Sequence, residues 1–92
     1  MQATSISNED DPETSSSITA YPNPVEDKIT ILLNNLSPDT KVSLIQSSGI
    51  TLKEERPVRL DHTIDMSSMP AGLYFIRVSD VNTRSTIKVL KR

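Results

Sequence analysis

The run Gly72-Leu73-Tyr74-Phe75-Ile76-Arg77-Val78-Ser79 reads as one extended strand. Tyr74, Ile76 and Val78 fall on one side of an extended chain, and Phe75, Arg77 and Ser79 on the other, the period of two that marks a half-buried strand. Pro70-Ala71-Gly72 stands immediately before it as a tight turn. Gly72 is predicted to take a positive φ there, a conformation that a Cβ would resist. Tyr74 is predicted to pack inward, with its hydroxyl bonded near that corner.

The same period runs outward through the chain. Ile29, Ile31 and Leu33 alternate with Lys28, Thr30 and Leu32; Val42 and Leu44 with Lys41 and Ser43; Ile87 and Val89 with Thr86, Lys88 and Leu90. Turn formers close each run: Pro22-Asn23-Pro24, Asn34-Asn35, Ser37-Pro38-Asp39, Ser47-Ser48-Gly49 and Asp80-Val81-Asn82. No helical stripe interrupts them. Strands are predicted near 17–21, 28–33, 41–46, 50–55, 57–65, 73–79 and 85–91. Short alternating strands with turns about every 8–12 residues predict an all-β chain, an immunoglobulin-like antiparallel β-sandwich of about seven strands. A small barrel is the rival. With no Cys and no Trp in the chain, the antibody-type disulfide and its tryptophan are excluded.

The first sixteen residues have a different character. They hold Ser5, Ser7, Ser15, Ser16, Glu9, Asp10, Asp11 and Glu13, no Lys or Arg, and Ile6 as their one strongly apolar side chain. Such a segment cannot bury enough to order itself, so residues 1–16 read as a flexible, disordered linker and 17–92 as the folded domain. The chain carries −2 in total. The linker holds −4 of this, which leaves +2 on the domain. Arg84, Lys88, Lys91 and Arg92 all follow Asp80, the last acidic side chain. The start Met1-Gln2-Ala3-Thr4-Ser5 has neither the basic nor the apolar region of a signal peptide. The chain is therefore expected to be either cytoplasmic or a piece of a longer protein.

Composition argues against most chemistry. Aromatic residues are 3% of the chain and hydrophobic residues 35%, so an aliphatic core must stabilise the fold without disulfides. A cavity of roughly 300–1,000 Å³ would remove much of such a core. Two glycines cannot make a phosphate-binding loop, and no Gly-x-Ser-x-Gly elbow is present. His62 is the one histidine, and without cysteine partners it lacks a zinc set. It reads as a partly exposed strand residue. The Glu9–Glu13 group has no EF-hand spacing. No catalytic, metal or cofactor site is therefore predicted. A net charge of −2 disfavours nucleic acid, and no run of about 18 apolar residues is available for a membrane-spanning helix.

Two segments stand apart from this framework. Tyr21-Pro22-Asn23-Pro24 carries two prolines that cannot sit mid-ladder, and it reads as a rigid corner. Ile87-Lys88-Val89-Leu90-Lys91-Arg92 is an alternating apolar and basic strand. It reads either as an edge strand protected by lysine or as a strand that a receptor recognises by β-addition.

The order of these motifs resembles the C-terminal sorting domain of the type IX (Por) secretion system of Bacteroidetes, over about residues 18–92. The resemblance rests on Tyr21-Pro22-Asn23-Pro24, on Pro70-Ala71-Gly72-Leu73-Tyr74 and on the basic end, in that order. Ser48 before Gly49, and Met69 where Leu is commoner, depart from the family pattern. The resemblance implies a folded secretion signal behind an upstream cargo. Such a signal is read in the periplasm by an outer-membrane translocon and removed in the linker, within residues 1–18, by a sortase-like cysteine peptidase. The cargo is then attached to the cell surface, commonly to lipopolysaccharide, or released. Carried over residue by residue, Tyr21, Pro22, Asn23, Pro24, Gly49, Pro70, Gly72 and Tyr74 would shape the domain. Lys88, Val89, Leu90, Lys91 and Arg92 would form the strand that the translocon recognises.

Two rivals to a sorting signal remain at this point. A carbohydrate-binding sandwich would need exposed aromatic platforms, and only Tyr21, Tyr74 and Phe75 could supply them. A passive spacer would need no site at all.

Overall fold

A computed structural model describes residues 18–92. The linker 1–16, and most of the segment expected to be cut, lie outside the described residues. The described chain folds as seven strands: β1 (Thr19–Tyr21), β2 (Lys28–Leu32), β3 (Lys41–Gln46), β4 (Thr51–Glu55), β5 (Asp61–Asp65), β6 (Gly72–Ser79) and β7 (Arg84–Lys91). They form two sheets, in the orders β1-β2-β5 and β4-β3-β6-β7. Every strand pairing is antiparallel. Labelled in immunoglobulin fashion, the first sheet is A-B-E and the second C′-C-F-G. Residues 56–60 pass directly from β4 to β5 with no strand D between them.

Alternation decides which side chains meet between the sheets. Ile29 and Ile31 of β2, Val42 and Leu44 of β3, Ile64 of β5, Tyr74 and Ile76 of β6 and Val89 of β7 are buried in one core cluster. Val25, Leu33 and Met66 join them from outside the strands. The expected inward set is therefore found on β2, β3, β6 and β7. The fifth strand begins at Asp61, four residues later than its predicted start at 57. Pro57 has no N–H to give to a ladder, and Val58 is 84% exposed.

Two corners hold the sheets in place. Tyr74 is 3% exposed, and its hydroxyl donates to the Pro70 carbonyl at 2.6 Å. This is the tyrosine-corner arrangement at the start of strand F. Gly72, at φ +150°, and Gly49, at φ +99°, occupy backbone conformations that favour glycine. Tyr74→Phe leaves the Pro70 carbonyl without that donor and is expected to cost about 1 kcal/mol. A urea melt with an unchanged slope and a lower midpoint would show it.

The second corner follows β5. The Asp65 carboxylate accepts from the Ser67 hydroxyl at 2.7 Å and the Ser67 N–H at 2.9 Å. These bonds hold its pKa below the ordinary value of 3.8. Arg59 does the same for Asp61, with a contact of 3.1 Å. Both groups bind protons less readily folded than unfolded. Their contribution is therefore complete above the unfolded pKa and is lost as pH falls through the folded one. Thermal stability is expected to decline on acidification below about pH 4. Asp65→Asn should shrink that decline, as seen in melting curves across the acid range.

Candidate functional site

β7 is one of the two edge strands of the four-stranded sheet and pairs with β6 from Gly72↔Lys91 to Ser79↔Arg84 without a register shift. Its odd-numbered residues face the core and its even-numbered residues face outward. Val89 is 0% and Lys91 6% exposed, whereas Leu90 is 47% exposed and Lys88 and Arg92 are exposed as well. The five candidate recognition residues thus divide into two sets. Lys88, Leu90 and Arg92 can be reached from outside, while Val89 and Lys91 seat the strand. Lys91 is buried, and its ammonium donates to the Arg92 carbonyl at 2.8 Å.

The outer edge of β7 is not bare. The Tyr21–Val25 segment crosses from the end of β1 to run beside it. The Asn23 side-chain amide donates to Lys88 O at 3.0 Å and accepts from Leu90 N–H at 3.1 Å, so one side chain imitates a strand. Val25 N–H then donates to Leu90 O, and Arg92 N–H to Val25 O, each at 2.8 Å. The result is a parallel bridge between Val25 and Lys91. Pro22 and Pro24, both in cis peptide linkage, flank Asn23. The corner expected at Tyr21-Pro22-Asn23-Pro24 is thus also an arm that covers part of the terminal strand. Sequence patterning did not disclose that second role. Asn23 sits 65 residues from Lys88, and no local signal joins them.

The remaining motif residues frame the domain rather than a pocket. Tyr21 is 48% exposed, Tyr74 is buried and Phe75 half-buried, so these three form no exposed aromatic platform. His62 Nε2 lies 2.7 Å from Glu55 Oε1, and Lys53 Nζ donates to Asp65 O at 2.8 Å. Both contacts join the β4 edge of one sheet to the β5 edge of the other. Among the described residues, no group of three or more His, Cys, Asp or Glu side chains is placed to hold a metal ion. A depression of about 60 Å³ between Ile18, Leu33, Thr40, Val78 and Ser85 is far smaller than a typical ligand pocket.

The secretion system C-terminal sorting domain family matches residues 19–92, from the first residue of β1 to the end of β7. The chain belongs to this family. No curated protein matches it. The sorting domain is thus a type IX secretion signal, which implies a fused cargo and transit to the outer membrane and the cell surface or beyond. Its family is one of sorting signals rather than enzymes. Among the described residues, no helix is long and apolar enough to cross a membrane.

Proposed function

We propose that this sorting domain is read as a folded signal by an outer-membrane translocon that takes its cargo from the periplasm. We propose further that it is then cut away within residues 1–18 by a sortase-like cysteine peptidase. The cargo is left attached to the cell surface or is released. The observation that carries this reading is the family match over the whole described sandwich, with β7 on the outside of its sheet. In this reading Lys88, Leu90 and Arg92 make the contacts, and Val89 and Lys91 hold the strand in position. Basic side chains there speed encounter with an acidic receptor more than they raise final affinity.

Fusing the full chain behind a periplasmic reporter, in a host with the secretion system, tests the reading. The reporter is expected at the cell surface or in the medium, with a mass lacking the domain. A reporter that stays periplasmic with the domain attached would overturn it. Deleting residues 87–92 is a poorer test. It removes fully buried Val89 and the partners of Gly72 to Ile76, so lost delivery would report unfolding as readily as lost recognition.

A further inference from the structure

We propose that the export machinery reads this domain from the outer face of the β4-β3-β6-β7 sheet, through a partner surface with an apolar patch flanked by carboxylates, and not by adding a strand along the terminal part of the β7 edge. The inference rests on the sorting function and specifies how recognition occurs.

The edge comes first. A receptor adding a strand needs the outward-facing N–H and C=O groups of β7. The alternation of the ladder turns the even-numbered residues outward. From Lys88 O onward these groups are already bonded: Lys88 O and Leu90 N–H to Asn23, Leu90 O and Arg92 N–H to Val25. The arm does not peel away readily, because Val25 is 0% exposed and belongs to the core. Over the last part of the strand, a competing backbone would have to open the core to reach its partners.

The outer face offers what the edge does not. Leu73 and Leu90 are directly opposite each other and are 36% and 47% exposed. Their pair bonds outward rather than to each other, and in such pairs the side chains stand closest. Phe75 follows opposite Lys88, and Arg77 opposite Thr86. Ile45, in register with Phe75 on β3, is buried at 6% exposure and adds no accessible area to the strip. Lys88 lies beside this strip, and Arg77 and Arg84 lie beyond it along the same two strands. Glu54, the one carboxylate that the register places on this face, already lies 3.6 Å from Lys41 Nζ. The other sheet differs. Its outward positions are Thr19, Tyr21, Lys28, Thr30, Leu32, Asp61, Thr63 and Asp65, a mostly polar face with two aspartates.

Arg77 gives the partner its chemistry. Its Nε is buried and has no hydrogen-bond partner among the described residues. That nitrogen is closed to a docking partner, but a carboxylate is the acceptor that fits the rest of the guanidinium. Apolar contacts ringed by charge are the usual anatomy of a protein interface. A second copy of the same face fits poorly, because it would bring together two faces that both carry the cations Arg77, Arg84 and Lys88.

The reporter fusion separates the possibilities, with the unmodified chain as the reference. Leu73→Ser with Leu90→Ser, and separately Arg84→Glu with Lys88→Glu, should each lower surface delivery by about ten-fold or more, as when central contacts of an interface are lost. Melting temperatures should stay near that of the unmodified domain. Leu32→Ser, an equally exposed leucine on the opposite sheet, should be delivered normally. Thr86→Pro removes an outward edge N–H that the ladder with β6 does not use, and it too should be delivered. Normal delivery of both face variants, or loss with Thr86→Pro alone, would overturn the proposal. So would loss on neutralising Glu9, Asp10, Asp11 and Glu13, which would make the linker the occupant of the face. Concentration-dependent dimers abolished by the leucine substitutions would also overturn it, in favour of a second copy. If the unmodified fusion itself stays periplasmic, the sorting reading fails instead.

Discussion

Ile76→Ala is expected to remove about 2–5 kcal/mol of stability, the range for truncating a large buried aliphatic side chain. Ile76 is 0% exposed at the middle of β6, between Leu44 on β3 and Ile87 on β7. Its neighbours are strands in ladders on both sides, so the site has little freedom to collapse around the lost atoms. A folded unit of this size has a total stability of roughly 4–11 kcal/mol. The substitution therefore consumes a large share of it and should lower the melting temperature by about 10 °C or more. A calorimetric scan of the two proteins would check this. A shift of only a degree or two would mean that β6 is not the centre of the core.

Val25→Ala is expected to have the next largest effect, about 1–3 kcal/mol, through the same loss of buried apolar contact. Its signature is local. Val25 seats the arm that bonds Leu90 O and Arg92 N–H, and Asn23 two residues earlier holds Leu90 N–H. Loosening Val25 should speed hydrogen exchange at the Leu90 and Arg92 amides. The Val89 and Lys91 amides, which face β6 in the ladder, should stay protected until the whole domain opens. Equal acceleration at all four amides would show that arm and strand open together, and that the arm is not a separate clamp.

Most of the sandwich could be read in the sequence because alternation is a local property. Ile29 and Ile31, Val42 and Leu44, Tyr74 and Ile76, and Val89 each declared an inward face, and each stands in the core. Tyr74 and its hydroxyl bond were legible because Pro70 lies only four residues away. The same alternation assigns Lys91 to the side of Ile87 and Val89. The grouping of Lys91 with Lys88 as a recognition residue came instead from the family resemblance. What could not be read depends on distant partners. Neither the bonding of Asn23 and Val25 to β7 nor the unpaired Arg77 donor leaves a local pattern. The late start of β5 at Asp61 was obscured because Val58 and Leu60 continue the alternation. Both stay exposed, at 84% and 50%.

These features favour a signal whose meaning lies in the folded surface rather than in a linear string of basic residues. The outward set Lys88, Leu90 and Arg92 exists only while β7 is seated on β6, and Leu73 and Phe75 lie beside it only in that register. The most direct test is the surface-delivered fraction of the reporter fused to the unmodified chain and to Tyr74→Phe, Val25→Ala and Ile76→Ala. Delivery is expected to fall in that order, in step with the folded fraction measured on the purified fusions, although no outward side chain has changed. Undiminished delivery of the Ile76→Ala fusion, with its domain demonstrably unfolded, would contradict a folded signal and point to recognition of the extended chain.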